Sequence, residues 1–254
     1  MSDAVERILA ARRAGRPFPD LGTEAPASVA AGYAMQRAVA EAMGAVPPAG
    51  FKIGATTESM RTYLGLAHPC AGFCPEEGIR DRAGRFRFAD YVRPGVECEI
   101  GLRLAHDLSP GEHSRDSVAG AVEHVFAAIE VVDNRYGDFA ALGAPSLIAD
   151  SVFHAGGVTG APASGWPGLD LPAARGRLLV DGVERASGLG AELLGHPLDA
   201  LAWLAGSPLA EVFGGLRAGQ VVFLGSVTPP IWLEGPGEVV VAFDLLGEVS
   251  ARFV

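Results

Sequence analysis

At 254 residues, with 49% hydrophobic and 20% charged residues, the chain has the balance of an ordinary globular protein, which excludes a disordered one. A formal charge of -10 without any basic cluster argues against a nucleic-acid partner, because phosphate binding draws on grouped Lys and Arg. No run is long and apolar enough to span a membrane, so no membrane partner is expected, and the mixed stretch over 1–15 lacks the apolar segment of a secretory signal.

Residues 4–11 and 27–43 carry apolar residues at helical spacing among Ala, Glu, Arg, Gln and Met, and predict two helices joined by a loop over 17–26. From residue 51 onward the texture changes to short β-type runs punctuated by Gly and Pro. A helical region over 1–50 is therefore expected to precede a β-rich body over 51–254. Cys70, Cys74 and Cys98 form neither an even disulfide framework nor a paired zinc pattern, which fits a reducing cytoplasm.

The Gly/Pro-rich stretch over 161–172 reads as loop. Over 177–185 the pattern is strand, turn, strand, because Asp181-Gly182 tolerates the positive φ values of a tight hairpin. A short helix is expected over 197–205, then strands over 220–224, 238–245 and 249–253, with Gly247 making the last turn.

The segment 96–104 alternates apolar and non-apolar positions, so Glu97 and Glu99 leave the strand on one face, about 6 to 7 Å apart at a rise of roughly 3.3 Å per residue. Both can reach one cation, and a half-exposed strand with its glutamates in water explains the same pattern. A second apolar run, 127–132, places Glu130 among Ile129, Val131 and Val132, where an unpaired carboxylate is costly to bury. Arg135 close by offers an ion pair, and a metal is the competing explanation. Three hard oxygen donors without matching His or Cys suit Mg²⁺ or Mn²⁺ better than zinc. A bound cation would also supply a local positive centre in an acidic protein that handles an anionic substrate.

Phe51-Lys52-Ile53-Gly54, then Val96-Glu97-Cys98-Glu99-Ile100, then Ile129-Glu130-Val131-Val132-Asp133 resemble, in this order, the fumarylacetoacetate hydrolase superfamily. Within it the chain is similar to the 2-keto-4-pentenoate hydratase and 4-oxalocrotonate decarboxylase branch, through segments 31–36, 195–205, 218–228 and 246–250. The resemblance spans about residues 30 to 253. It implies an α+β fold whose core is a mixed rolled β-sheet, with a small helical N-terminal region, a bound Mg²⁺ or Mn²⁺, a small anionic 2-keto acid substrate and a homo-oligomer.

It further implies that Glu97, Glu99 and Glu130 hold the metal and that Lys52 is the active-site lysine. Asp150 or an ordered water is the candidate for proton transfer. Ser226 and Thr228 match the substrate-proximal Gly-Ser-x-Thr turn, with hydrogen bonding inside the turn as a competing role. The implied activity is that of a hydratase (lyase) adding water to a 2-hydroxydienoic or 2-keto-enoic acid, as in catabolism of aromatic compounds. Decarboxylation of a 2-oxo-hexenedioate-type acid, acylpyruvate-type carbon–carbon hydrolysis and a non-catalytic metal-binding subunit are the alternatives.

Two departures fall where the chemistry lies. Cys70 stands near the place of a common family Asp, and the family's Ala-Asp-Asn-Ala-Ser-Ser appears as Ala149-Asp150-Ser151-Val152-Phe153-His154. His154 is either an added acid or base titrating near neutrality or a structural residue.

Overall fold

The N-terminal segments fold as helices because each opens on a serine whose hydroxyl accepts a first-turn N–H, relieving one of the orphan donors. The computed structural model describes residues 2–137 and 142–254. In it α1 spans Asp3–Arg13, capped by Ser2, and α2 spans Val29–Ala42, capped by Ser28. The buried Gln36 amide of α2 donates to the carbonyls of Ala71 at 3.1 Å and Ile148 at 2.6 Å. Tyr33 Oη accepts from Ala71 N at 3.1 Å. These bonds tie α2 to strand β2 (Cys70–Cys74) and to helix α5 (Ala144–Ala149), and residues of α1 and α2 share one apolar core with the strands.

Two sheets carry the rest. The larger runs β2, β1 (Gly50–Gly54), β10 (Val221–Ser226), β5 (Pro94–Leu104), β6 (Val122–Asp133), β7 (His154–Thr159) and β3 (Ile79–Asp81), with β11 (Ile231–Trp232) added on β5. The smaller runs β4 (Ala83–Phe86), β13 (Gly247–Phe253), β12 (Gly237–Phe243), β8 (Arg175–Val180) and β9 (Val183–Leu189). Pairs β1/β10, β3/β7 and β4/β13 are parallel, so both sheets are mixed. Strands β12 and β13 pack across β5 and β6, which explains why β5 and β6 are buried along most of their length. Glu99 and Glu130 there sit in the molecule's interior and not on a wetted face.

The hairpin at Asp181-Gly182 forms as expected, with φ of 49° and 78° at the two turn residues. The helix α6 (Pro197–Ala205) has the expected bounds, and Gly247 turns between β12 and β13 with φ 78°. The loop over 161–172 holds two short 3₁₀ turns, Trp166–Gly168 and Leu171–Ala173. Among the described residues, four short helices were not foreseen: α3 (Glu58–Leu64), α4 (Arg115–Ala119), α5 and α7 (Pro208–Phe213). Each is too short to show a helical period, although Thr57, Ser114 and Ser207 stand before three of them as caps. Among the described residues no helix is long and apolar enough to cross a membrane.

Candidate active site

Antiparallel register sets Glu97 of β5 directly opposite Glu130 of β6, with Glu99 two residues along on the same face. One ligand atom from each of the three lies within 4.8 Å of the others. Glu99 and Glu130 are fully buried and Glu97 is half-buried. Like charges facing across strands are destabilising, and a pair about 4 Å apart costs roughly 4 kcal/mol at an effective dielectric near 20. Something must compensate them.

Part of the compensation comes from neighbouring strands. Lys52 Nζ of β1 is 3.2 Å from Glu130 Oε1, and His154 Nδ1 at the start of β7 is 2.8 Å from the same oxygen. Strand β10 breaks register between Phe223 and Ser226, and Gly225 there, at φ 112°, donates its N–H to Glu99 Oε2 at 3.0 Å. Only glycine takes that φ without strain. Glu99 Oε1 and Glu130 Oε2 remain buried without a hydrogen-bond partner.

The ionisation of the three glutamates is as uneven as their hydrogen bonding. Burial raises Glu97 to about 8, helped by the charge of Glu130, and raises Glu99 well above the usual carboxylate range, helped by Glu130 and Glu97. Burial works the same way on Glu130, but Lys52 and His154 hold it below its ordinary value. For Lys52 burial favours the neutral amine, and Glu130 and Glu97 overcome this and keep the ammonium. Burial lowers His154 and keeps it neutral. Three carboxyl groups therefore share one cationic side chain, which keeps Glu130 ionised while burial and crowding disfavour charge on Glu97 and Glu99. The two orphaned oxygens and the all-oxygen donor set fit a hard divalent cation.

A cavity of about 320 Å³ opens on Lys52 and Glu97. Met60 and Leu64 of α3, Val152, Phe153 and Trp232 form its apolar walls. Two larger clefts, of about 460 and 580 Å³, lie elsewhere and are lined by none of the three glutamates.

One wall is a turn of unusual backbone. Ser151, Val152 and Phe153 have φ of 57°, 52° and 67° in succession, at roughly 1 to 2 kcal/mol each for residues with a Cβ. The turn aims Val152 and Phe153 into the cavity and delivers His154 to Glu130. Asp150, immediately before it, accepts from Arg12 Nε at 2.6 Å, from Tyr136 Oη at 2.7 Å and from Arg135. Asp150 was expected to handle protons; the structure places its carboxylate in this buried clamp, with both oxygens taken. Arg135, considered as a partner for Glu130, belongs to the same clamp, and Lys52 has the place beside Glu130.

No protein-family model matches the chain. It is 33% identical over 204 residues to a 2-keto-4-pentenoate hydratase of Burkholderia vietnamiensis, covering 80% of this chain and 77% of that protein. The chain belongs to the 2-keto-4-pentenoate hydratase and 4-oxalocrotonate decarboxylase family. A 4-oxalocrotonate decarboxylase of Pseudomonas putida is 31% identical over 206 residues, covering 81% of this chain and 77% of that one. Among solved structures, 4-oxalocrotonate decarboxylase from Pseudomonas putida G7, complexed with magnesium and adipate, superposes with a TM-score of 0.89 at 25% identity. It covers 99% of this chain and 96% of that one. Fumarylpyruvate hydrolase from Pseudomonas aeruginosa shares the fold, with a TM-score of 0.64 at 19% identity over 80% of this chain and 88% of that one. The α+β fold with a curled mixed sheet is that of the fumarylacetoacetate hydrolase superfamily.

Cys70 of β2 lies opposite Gly54 of β1, two residues beyond the lysine. Cys70 Sγ and Lys52 Nζ each lie 3.6 Å from the point where a Cβ on Gly54 would stand. Burial pushes the Cys70 thiol up to about 12, so it remains protonated. Ser226 Oγ donates to Cys98 O at 3.3 Å and accepts from Thr228 N at 3.3 Å, a bracing role within the turn. Thr228 Oγ1 is buried and unpartnered. Residues that sequence reasoning passed over are Arg12 of the clamp and the pair Arg93 and Trp232 in the cavity lining.

Proposed function

We propose that this chain is a divalent-metal-dependent hydro-lyase that adds water to a 2-hydroxydienoic or 2-keto-enoic acid, a reaction of aromatic-compound catabolism. The observation that carries it is the pair of buried, unpartnered carboxylate oxygens on Glu99 and Glu130 beside a charged Lys52, at the end of a cavity sized for a small acid. Relatives named 2-keto-4-pentenoate hydratase and 2-hydroxyhexa-2,4-dienoate hydratase support the reading.

Glu97, Glu99 and Glu130 would hold Mg²⁺ or Mn²⁺. When bound, the cation supplies a Lewis acid and a template for the carboxylate and 2-oxo oxygens of the substrate. Lys52 offsets the charge of the anionic head and fixes its position. Val132, Val152, Phe153 and Trp232 keep bulk water from the reacting chain, so that water enters only at the polar end. Cys70, held as a thiol, does not act as a base. Thr228, whose Oγ1 is buried and without a partner, would donate to the acid head, and Asp150 would act through the turn it clamps. Self-association and a cytoplasmic setting complete the reading, and light scattering tests the former.

Decarboxylation of a 2-oxo-hexenedioate-type acid is the second reading, favoured by the likeness to a solved decarboxylase across nearly the whole chain. Purified protein with Mg²⁺ or Mn²⁺ should bleach the ultraviolet absorbance of 2-hydroxypenta-2,4-dienoate without gas release. Release of CO₂ from 2-oxohex-3-enedioate would select the decarboxylase, and no turnover of either acid despite bound metal would sink both. Lys52→Met should lower turnover by about a hundredfold or more. Its cation affinity, measured by calorimetry, should change little, and a fully active variant would remove Lys52 from the site.

A further inference from the structure

Arg93 stands four residues before Glu97 and prolongs the β5/β6 ladder: its N–H donates to Asp133 Oδ1 at 2.7 Å, and its carbonyl accepts from Asn134 N at 2.9 Å. An even offset along a strand keeps Arg93, Gly95 and Glu97 on one face. At Gly95 that face has no side chain, and the ring of Trp232, its register partner, takes the space. A Cβ on Gly95 would stand 2.6 Å from Trp232 Cε3. The result is a flat indole floor between a carboxylate at one end and a guanidinium at the other.

The Arg93 guanidinium lies over that ring, its Cζ 5.3 Å from the centroid, inside the roughly 6 Å range of a cation–π contact. Among the described residues it has no ion-pair partner. The cavity lining contains two cations, Lys52 and Arg93, and one carboxylate, Glu97. With the glutamates assigned to a metal and Lys52 to the acid head, Arg93 is the remaining charge. At a rise of about 3.3 Å per residue its backbone lies roughly 13 Å from that of Glu97, and both side chains reach into the gap. A short linear acid lying along the indole fills what is left.

The geometry points to Arg93 as a specificity-determining residue that selects a dicarboxylic 2-oxo acid, with the 2-oxo acid head at Lys52 and Glu97 and the distal carboxylate on the guanidinium. A planar guanidinium already held against an indole offers a carboxylate two parallel hydrogen bonds and loses little freedom in forming them. A monocarboxylic acid of the same length would set an apolar end against an unpaired charge. The inference rests on the reading of this site as a 2-oxo acid centre.

Calorimetric titration of the Mg²⁺-loaded protein with 2-oxoadipate and with 2-oxohexanoate tests it, since the two share chain length and head group and differ in the terminal carboxylate alone. The expected result is a preference for 2-oxoadipate of about tenfold or more, as suits a charge-assisted bidentate pair. Arg93→Gln should collapse that ratio to near one, and Arg93→Lys should keep an intermediate one. Equal affinities in the unaltered protein, or a preference that survives Arg93→Gln, would overturn the role of Arg93 and leave the 2-oxo acid centre standing. Binding of neither acid would refute the centre and this inference together.

Discussion

Asp150 and Glu130 are both buried carboxylates met by basic side chains, yet their surroundings end differently. Arg12, Arg135 and Tyr136 occupy both oxygens of Asp150. Lys52 and His154 share one oxygen of Glu130, leave the other bare, and do so next to two further glutamates. The cost of burying charge is met inside the protein in the first cluster and awaits an added ion in the second. Two clusters of similar composition thus divide into a structural clamp and a binding centre by hydrogen-bond saturation.

The comparison breaks most readily at the clamp. Asp150→Asn leaves the buried Arg135 and the half-buried Arg12 without their anion, and breaking a buried pair in this way costs about 3 to 5 kcal/mol, read by chemical denaturation. A loss below about 1 kcal/mol would mean that the clamp holds little. Glu99→Gln should behave in the opposite sense: in metal-free protein it replaces a crowded carboxyl group whose ionisation is already disfavoured, so the melting temperature should hold or rise. Its cation affinity should fall by about tenfold or more in a calorimetric titration. Destabilisation of metal-free protein like that of Asp150→Asn would erase the distinction between the clusters.

The smallest effect is a pH dependence of the metal-free protein. Glu97 is raised from an ordinary carboxylate value to about 8, so the folded state holds a proton that the unfolded state releases. Stability from this group is full below the unfolded value and is lost as pH rises towards 8. The melting temperature should drift down by a few degrees between pH 5 and 8 and be restored by Mn²⁺, whose own affinity should strengthen over the same interval. A flat or rising profile without metal would show that Glu97 is not crowded by its neighbours.

The three glutamates were readable because a strand's period fixes which residues share a face and because Glu130 interrupts an apolar run. Their convergence was not, since the pairing of residue 97 with residue 130 is a matter of register between strands. Arg135 looked available to Glu130 from its place in the chain. It turns instead to Asp150, which also draws Arg12 from 138 residues away. The turn at 151–153 left no trace in composition because it takes left-handed φ values without a single glycine. The departure at His154 was visible; its bond to Glu130 required β7 to be laid beside β6.

Gly95 and Trp232 interlock so closely that their sequence positions have to drift in concert. Any larger residue at 95 evicts the indole, and any smaller ring at 232 opens a void under the cavity floor. Among descendants of this chain, exchange at one position predicts exchange at the other, and the width of the floor is inherited as a unit.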